Sequence, residues 1–262
     1  MSQSVERSTV PGRERVPALR LAGVGVRFGG ITALNDISMN VAPGERWAVI
    51  GPNGAGKTTL FRVISGERYP TSGHVELFGR HCTRWSQLRR VRSGLGRTFQ
   101  INNVFSDLTV EQNLAASAQV FGRKQFNFWR QVRIEGSLKE RIDVALERTG
   151  LWPRRQDLAS ELSHGEARQL ELALALARDS KILLLDEPAA GLASRERRLI
   201  KDMIEQLPQS MTIVLIEHDM DLALDLVDRV MCLNNGSMVI SGTPQEIRAS
   251  DEVQRVYLGS EC

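Results

Sequence analysis

The stretch "GPNGAGKTT" at residues 51–59 decides the fold, because it matches the phosphate-binding pattern G-x-x-x-x-G-K-[ST]. The apolar run "RWAVIG" (46–51) precedes it and predicts a buried strand. "KTTLFRVIS" (57–65) follows and predicts a helix that stops at Gly66. A glycine-rich loop between a strand and a helix is the context in which this pattern binds phosphate, so we predict a nucleotide site here.

The residue types of the loop explain the prediction. Glycines let backbone N–H groups curl around phosphate oxygens, and the helix N-terminus adds partial positive charge. Lys57 is placed to reach the terminal phosphates, and the Thr58 hydroxyl is placed to hold Mg²⁺. The predicted nucleotide ligands of the loop are Gly51, Pro52, Asn53, Gly54, Ala55, Gly56, Lys57, Thr58 and Thr59.

A second apolar run, "ILLLDE" (182–187), ends in two acidic residues. An acid at the carboxyl end of a buried parallel strand lies beside the phosphate loop in sheets of this kind. We predict that Asp186 binds Mg²⁺ and that Glu187 orients and polarises the attacking water. The two motifs together indicate a Mg²⁺-dependent NTPase.

The remaining strand signals extend an α/β pattern along the chain. Residues 19–28, 36–41 and 74–79 have strand-like composition. "TIVLIEH" (212–218) is continuously apolar, which is typical of a strand buried on both faces of a parallel sheet. Asn235-Gly236 predicts a hairpin turn.

Helix starts are predicted from capping boxes, in which Ser or Thr precedes Glu or Gln by three residues. Residues 101–163 form a helical insert in this interpretation, within which 121–133 is either a loop or a short helix. A further helix is expected at about 194–206. The four predicted boxes are Thr109 with Gln112, Ser137 with Glu140, Ser163 with Glu166, and Thr243 with Glu246.

Composition limits the classes of protein. The chain has 262 residues, enough for one large domain or two small ones, and its net charge of +3 is too mild to imply nucleic acid. Residues 1–18 predict a disordered arm without a signal peptide, and no apolar run is long enough to span a bilayer, so we expect a soluble protein. Cys82, Cys232 and Cys262 are widely separated, which predicts free thiols.

Positive charge is concentrated in residues 77–134, which hold nine Arg and one Lys against Asp107 and Glu111 and so carry +8, against −5 for the remainder. One interpretation is a solvated basic face. The other is a surface that meets a membrane-bound partner on the side of the anionic lipids. The sequence leaves both open.

The motifs resemble those of ABC-type ATPase cassettes. After the phosphate loop come "TFQ" (98–100), "LSHGE" (162–166), "LLLDEP" (183–188) and "IEHD" (216–219), in that family's order. The resemblance covers about residues 19–260. It implies a P-loop ABC ATPase domain over 19–262, with a mostly parallel nucleotide-binding core, an N-terminal antiparallel β region and a helical subdomain at about 101–163.

"LSHGE" resembles the family's signature, usually LSGGQ, with His164 in place of glycine and Glu166 in place of glutamine. In the family, two cassettes form a head-to-tail dimer, and the signature of one covers the γ-phosphate held by the other. The resemblance implies that the ATP ligands supplied to the partner chain are Ser163, His164, Gly165 and Glu166.

The resemblance assigns further roles. Gln100 is similar to the glutamine that reaches Mg²⁺, and His218 to the histidine that contacts the γ-phosphate. With Glu187 they form the expected catalytic set. Phe28 is similar to the aromatic residue that stacks on adenine. Ala193 stands where the family usually has Asp or Asn, which puts a polar contact across the dimer in doubt.

"RFGGITALNDIS" (27–38) and "GRTFQINNVFSDLTVEQNL" (96–114) look most like cassettes of branched-chain amino-acid importers. That resemblance implies ATP and Mg²⁺ as cofactors, a second cassette, two membrane permease subunits and a periplasmic binding protein. It places the chain at the cytoplasmic face of the inner membrane. The alternatives are another cargo (urea, amides, aromatic acids or lipopolysaccharide), a soluble ABC protein outside transport, and a small-molecule P-loop kinase.

Overall fold

The computed structural model describes residues 16–98, 104–119, 136–178 and 180–258. The undecided segment 121–133 and Gln100 lie outside the described residues. Within the described ranges, no helix combines the length and the apolar character that a bilayer crossing requires.

In the part of the chain that the structure describes, ten strands form two sheets. The first is antiparallel, in the order β2-β1-β4-β5, and the second is parallel except for its edge strand β10, in the order β10-β9-β3-β8-β7-β6. This is the predicted combination of an N-terminal antiparallel region with a mostly parallel core. The strands are β1 Leu19–Phe28, β2 Ile31–Val41, β3 Arg46–Ile50, β4 Ser72–Leu77, β5 Arg80–His81, β6 Leu95–Arg97, β7 Ile182–Asp186, β8 Thr212–Ile216, β9 Arg229–Asn234 and β10 Ser237–Gly242.

Alternation along the central strands explains why they read as continuous apolar runs. On β7, Ile182 and Leu184 pack into a core shared with the antiparallel sheet, whereas Leu183 and Leu185 pack into a second core on the opposite face. Successive side chains of a strand point to opposite faces, so a strand covered on both sides is apolar at every position. The predicted burial of this sheet on both faces is therefore confirmed.

Nine α-helices occur in the described residues. Helices α3 and α4 lie inside the predicted insert, and they share a third apolar core with α5, which contributes Leu170, Ala173 and Leu174. From Leu170 onward α5 is apolar at nearly every position, and this part of the helix packs against two cores. The helices are α1 Lys57–Ser65, α2 Gln87–Arg92, α3 Val110–Gln119, α4 Ser137–Arg148, α5 His164–Ala177, α6 Ser194–Glu205, α7 Met220–Asp225, α8 Pro244–Arg248 and α9 Asp251–Leu258.

Three of the four predicted capping boxes are confirmed, at the starts of α3, α5 and α8. The prediction for α4 is wrong. Ser137 is the first residue of that helix, and Gly136 precedes it with a φ of 60° and no side-chain cap. The amide of Glu140 donates to the carbonyl of Gly136, which leaves Ser137 one position too far along the chain to cap the helix.

Two local predictions place the functional region. Asn235 and Gly236 join β9 to β10 with φ values of 47° and 78°, the left-handed pair that a tight hairpin turn requires. Residues 51–56 join the central strand β3 to α1 at the carboxyl edge of the parallel sheet, where such sheets bind ligands.

The prediction of a disordered arm over residues 1–18 is wrong at its last residue. Ala18 is buried, and its amide donates a hydrogen bond to the carbonyl of Val41.

Candidate nucleotide site

The phosphate loop leaves the N-terminus of α1 unblocked. Gly56 precedes the helix in the left-handed conformation, with a φ of 104°, and no side chain among the described residues caps α1. A Cβ on Gly56 would lie 2.7 Å from the carbonyl oxygen of Ala33, so only glycine fits there. The backbone N–H groups that begin the helix therefore remain available to an anion.

Lys57 lies inside this loop. Its side chain donates to the carbonyl oxygens of Gly51 at 2.6 Å and Pro52 at 2.9 Å, and the residue is 5% exposed. Burial lowers the pKa of Lys57 below its ordinary value of 10.5, an effect that Glu187 and Asp186 oppose. The ammonium group of Lys57 is therefore held at the loop by two neutral carbonyl oxygens, which an anion could replace as acceptors.

A cleft of about 200 Å³ brings most of the phosphate loop together with Glu187 and His218, whereas Gly51, Pro52 and Asp186 are not among its lining residues. Its walls join the phosphate loop to the two side chains that were expected to act on the terminal phosphate. The residues that line it are Ala33, Asn53, Gly54, Ala55, Gly56, Lys57, Thr58, Thr59, Glu187 and His218.

Glu187 and His218 contact each other across this cleft. Oε1 of Glu187 lies 2.6 Å from Nε2 of His218, and both side chains are partly exposed. Glu187 has a φ of 51°, a conformation that non-glycine residues rarely adopt, and its amide donates to the carbonyl of Ile216. Strain of this kind concentrates at functional sites, where neighbouring structure holds it.

Asp186 is held by a residue that sequence reasoning missed. Its Oδ2 accepts a hydrogen bond of 2.9 Å from Arg97, whose side chain is 8% exposed. Arg97 also pairs with Glu67 and contacts the hydroxyl of Ser65, both at the C-terminal end of α1. The guanidinium thus fixes the carboxylate relative to the phosphate-loop helix. In the sequence, the position of Arg97 in the strand before "TFQ" is the one signal that could have suggested its contact with Asp186.

Glu217 is the second residue that was missed. It is 3% exposed, and its carboxylate accepts hydrogen bonds from the amides of Ala189 at 3.0 Å and His218 at 3.2 Å. Burial raises the pKa of Glu217 above its ordinary value, although these backbone donors oppose the shift. The side chain ties the turn after Glu187 to the loop that carries His218. Its place beside His218 in "IEHD" was the signal available.

The signature segment does not line this cleft among the described residues. Ser163 is exposed and caps α5 by accepting a hydrogen bond from the amide of Glu166 at 3.2 Å. Glu166 accepts one from the amide of Ser163 at 2.9 Å, which lowers the pKa of its carboxyl. His164 is also exposed, and a Cβ on Gly165 would lie 2.6 Å from Oε1 of Glu196 on α6.

Two other predicted residues also lie away from the described cleft lining. Phe28 is 44% exposed, and the guanidinium carbon of Arg68 lies 4.4 Å from its ring centroid. Ala193 precedes α6 without a side-chain cap, and its amide donates to Oε2 of Glu196 at 3.1 Å. The departure at Ala193 therefore removes a cap from the start of α6.

Comparison with known proteins follows the motif order. Residues 34–190 match the ABC transporter family. The chain is 38% identical over 250 residues to the high-affinity branched-chain amino acid transport ATP-binding protein LivG of Salmonella typhimurium, covering 93% of this chain and 98% of LivG. It is 34% identical over 250 residues to BraF of Pseudomonas aeruginosa, a protein with the same description, at the same coverage of both chains.

Solved structures agree with the fold. An ATP-binding cassette of an ABC transporter in its ADP conformation matches with a TM-score of 0.83 and 28% identity, covering 93% of this chain and 99% of that one. A nucleotide-free ATP-binding cassette matches with a TM-score of 0.80 and 27% identity, covering 92% of this chain and 98% of that one.

Proposed function

Since this chain belongs to the ABC transporter family as an ATP-binding cassette, we propose that it powers an importer of branched-chain or related amino acids. The observation that supports ATP hydrolysis is that the phosphate loop, Glu187 and His218 line the same cleft. The amino-acid cargo rests on the names of LivG and BraF, which match nearly the whole chain.

In this proposal, Glu187 orients and polarises the water that attacks the γ-phosphate, the role of a general base. His218, at 2.6 Å, holds the Glu187 carboxylate and lies where it can reach the same phosphate. Lys57 leaves its two loop carbonyls for the β- and γ-phosphates, which are stronger acceptors. Arg97 holds one oxygen of the Asp186 carboxylate by a hydrogen bond.

The residues of the site fit Mg²⁺. Thr58 offers a hydroxyl and Asp186 a carboxylate, one oxygen of which engages Arg97, and hard oxygen ligands suit this ion. No group of three or more acidic, His or Cys side chains able to hold a metal occurs in the described residues. When bound, Mg²⁺ neutralises charge on the β- and γ-phosphates. Gln100 stays a predicted ligand.

Cassettes of ABC importers work as dimers with membrane permease subunits. We propose the head-to-tail arrangement for this chain, because Ser163 and His164 are exposed and lie outside the chain's own cleft lining. Ser163, Gly165 and Glu166 would then cover the phosphates held by a second cassette. The periplasmic binding protein and the cytoplasmic face of the inner membrane belong to the same proposal, as does adenine stacking on Phe28.

In this proposal, the basic segment 77–134 forms part of the surface that docks the permease. Two of its arginines do not belong to that surface, because little of their side chains is exposed. Arg90 is fully buried and donates to the carbonyls of Val63 and Ile64 at the end of α1, and the Arg97 side chain is nearly buried. The exposed cations that the structure describes in this segment are Arg80, Arg84, Arg89 and Arg92.

The test uses the chain assembled with its permease subunits in lipid vesicles, with leucine-loaded binding protein on the opposite side. We expect leucine transport coupled to ATP hydrolysis. Glu187→Gln should keep ATP binding and slow hydrolysis by about 10²-fold or more, the scale of a lost general base. Glu205→Gln, on the exposed face of α6, is the matched control and should leave turnover unchanged.

Near-normal turnover in Glu187→Gln would contradict the catalytic assignment. Coupled ATPase activity stimulated by urea or an aromatic acid, with none by leucine, would reject the amino-acid cargo while leaving the ATPase assignment in place.

A further inference from the structure

The C-terminal helix α9 contacts the phosphate loop directly. The amide of Gly51, the first loop residue, donates a hydrogen bond of 2.8 Å to the phenolic oxygen of Tyr257, 206 residues along the chain. Val253 and Val256 of α9 pack against the core beneath the parallel sheet, which fixes the position of the phenol. Tyr257 lies beyond residues 34–190, which match the family, whereas Gly51 lies within them.

Gly51 lies tightly against the rest of the C-terminal region. Its φ is 145°, and a Cβ at this position would lie 2.2 Å from the carbonyl oxygen of Leu233 on β9. The backbone therefore approaches β9 as closely as a residue without a side chain allows. With its amide bonded to Tyr257, the start of the loop is constrained from two sides.

The middle of the loop is held by the β9–β10 hairpin. The amide of Gly236, at the hairpin turn, donates to the carbonyl of Ala55 at 3.0 Å. The carbonyl of Gly236 in turn accepts a 2.8 Å bond from the amide of Asn35 on β2. The hairpin turn thus bridges the antiparallel sheet and the phosphate loop.

We propose that Tyr257 is a positioning residue which, together with the hairpin turn, braces the phosphate loop in its phosphate-binding shape. The inference rests on the proposed ATPase function and deepens it. A loop that is already in its binding conformation loses less conformational freedom when ATP arrives. If only a fraction of molecules holds that conformation, the apparent affinity falls by the same fraction. The brace therefore acts on nucleotide affinity, and the chemical step is left to Glu187.

Tyr257→Phe isolates the hydroxyl, because it keeps the ring that packs against the core. Burial raises the pKa of Tyr257 to about 12, so the phenol stays neutral throughout the usual assay range. The chain offers a matched control in Tyr69→Phe, since Tyr69 is 41% exposed and lies under Arg84 rather than at the loop.

The experiment measures the Kd for ATP by calorimetry in EDTA on the full chain, with hydrogen exchange at the Gly51 amide. For Tyr257→Phe we expect a Kd about fivefold higher, the scale of one net hydrogen bond, and faster exchange at Gly51. In the assembled transporter, KM for ATP should rise with kcat preserved at saturation. Tyr69→Phe should match the unaltered chain in all three measurements.

Two outcomes separate failure of this inference from failure of the proposed function. A Kd and a Gly51 exchange rate unchanged by Tyr257→Phe would overturn the brace, even if the melting temperature fell, because the hydroxyl would then contribute to stability without acting on the loop. Absence of ATP binding in the unaltered chain would instead overturn the proposed function.

Discussion

Helices α1 and α5 both begin with backbone N–H groups that the helix itself leaves unpaired, but among the described residues only α5 has side chains that cap them. Helix α1 begins after Gly56, and its described first turn contains neither a side-chain cap nor an acidic residue. Helix α5 begins after Ser163 and carries a complete capping box with Glu166. The first start is built around the buried cation of Lys57, whereas the second is exposed and satisfies two of its own amides.

The difference shows which features allow a helix N-terminus to bind an anion within its own chain. Uncapped amides beside a buried lysine form a site that functions within one chain. An exposed start with a carboxylate in its first turn is stable alone, but that carboxylate repels an anion. Helix α5 therefore suits a surface that meets phosphate only when another chain presents it together with its own lysine and metal.

The largest expected effect removes the cation that distinguishes α1. Lys57→Ala should weaken ATP binding by about 10²-fold, the scale of two lost hydrogen bonds from a charged donor. Calorimetry on the full chain measures it, with Lys139→Ala, an exposed lysine on α4, as control. An unchanged ATP affinity would mean that the loop does not bind the terminal phosphates through this side chain.

A smaller effect comes from a third helix start, which lies between the two types. At α6, Glu196 accepts from the amide of Ala193, but Ala193 supplies no side-chain acceptor. Ala193→Asp should complete the cap and stabilise the chain by about 1 kcal/mol. In thermal unfolding this corresponds to a rise of roughly 2 °C. Ala193→Asn should give a similar rise without charge, and a fall with both variants would refute the capping interpretation.

The smallest effect concerns the carboxylate of Glu166. The pKa of this carboxyl is lowered from 4.5, chiefly because it accepts a hydrogen bond from the amide of Ser163. The ionised carboxylate therefore stabilises the folded chain fully at a pH above the pKa of the unfolded state. That stability is lost as the pH falls through the pKa of the folded state. Glu166→Gln should remove that acid-side dependence and cost about 0.5 kcal/mol at pH 7. Denaturant unfolding from pH 7 down through pH 4 measures it; identical pH profiles would show that the charge contributes nothing.

Much of the fold could be predicted because its signals are local. Strand β3, the loop and helix α1 follow from one continuous stretch, and the hairpin follows from Asn235-Gly236. The error at Ser137 is also local: the residue type fits a cap, but Gly136 takes that position with a positive φ. Sequence pattern fixes such boundaries only to within a residue or two.

The supports of the site could not be predicted, because each joins residues distant in sequence. Arg97 bonds Asp186 across 89 residues, and Tyr257 bonds Gly51 across 206. The position of Arg97 in the strand before "TFQ" is a weak local signal, and the residues around Tyr257 give no sign of Gly51 as its partner. Motifs therefore identified the residues expected to touch the nucleotide, and the folded chain identified those that hold them.

The measurement that tests the central claim most directly compares Ser163→Arg with Lys57→Ala in two assays. One is the ATP affinity of the single chain, and the other is the ATPase rate of the assembled transporter. For Ser163→Arg the account predicts a folded chain whose ATP affinity stays within about twofold of normal, but whose ATPase is lost, because the arginine blocks the exposed start of α5. Normal ATPase in stably folded Ser163→Arg, or a loss of single-chain ATP affinity equal to that of Lys57→Ala, would contradict the account.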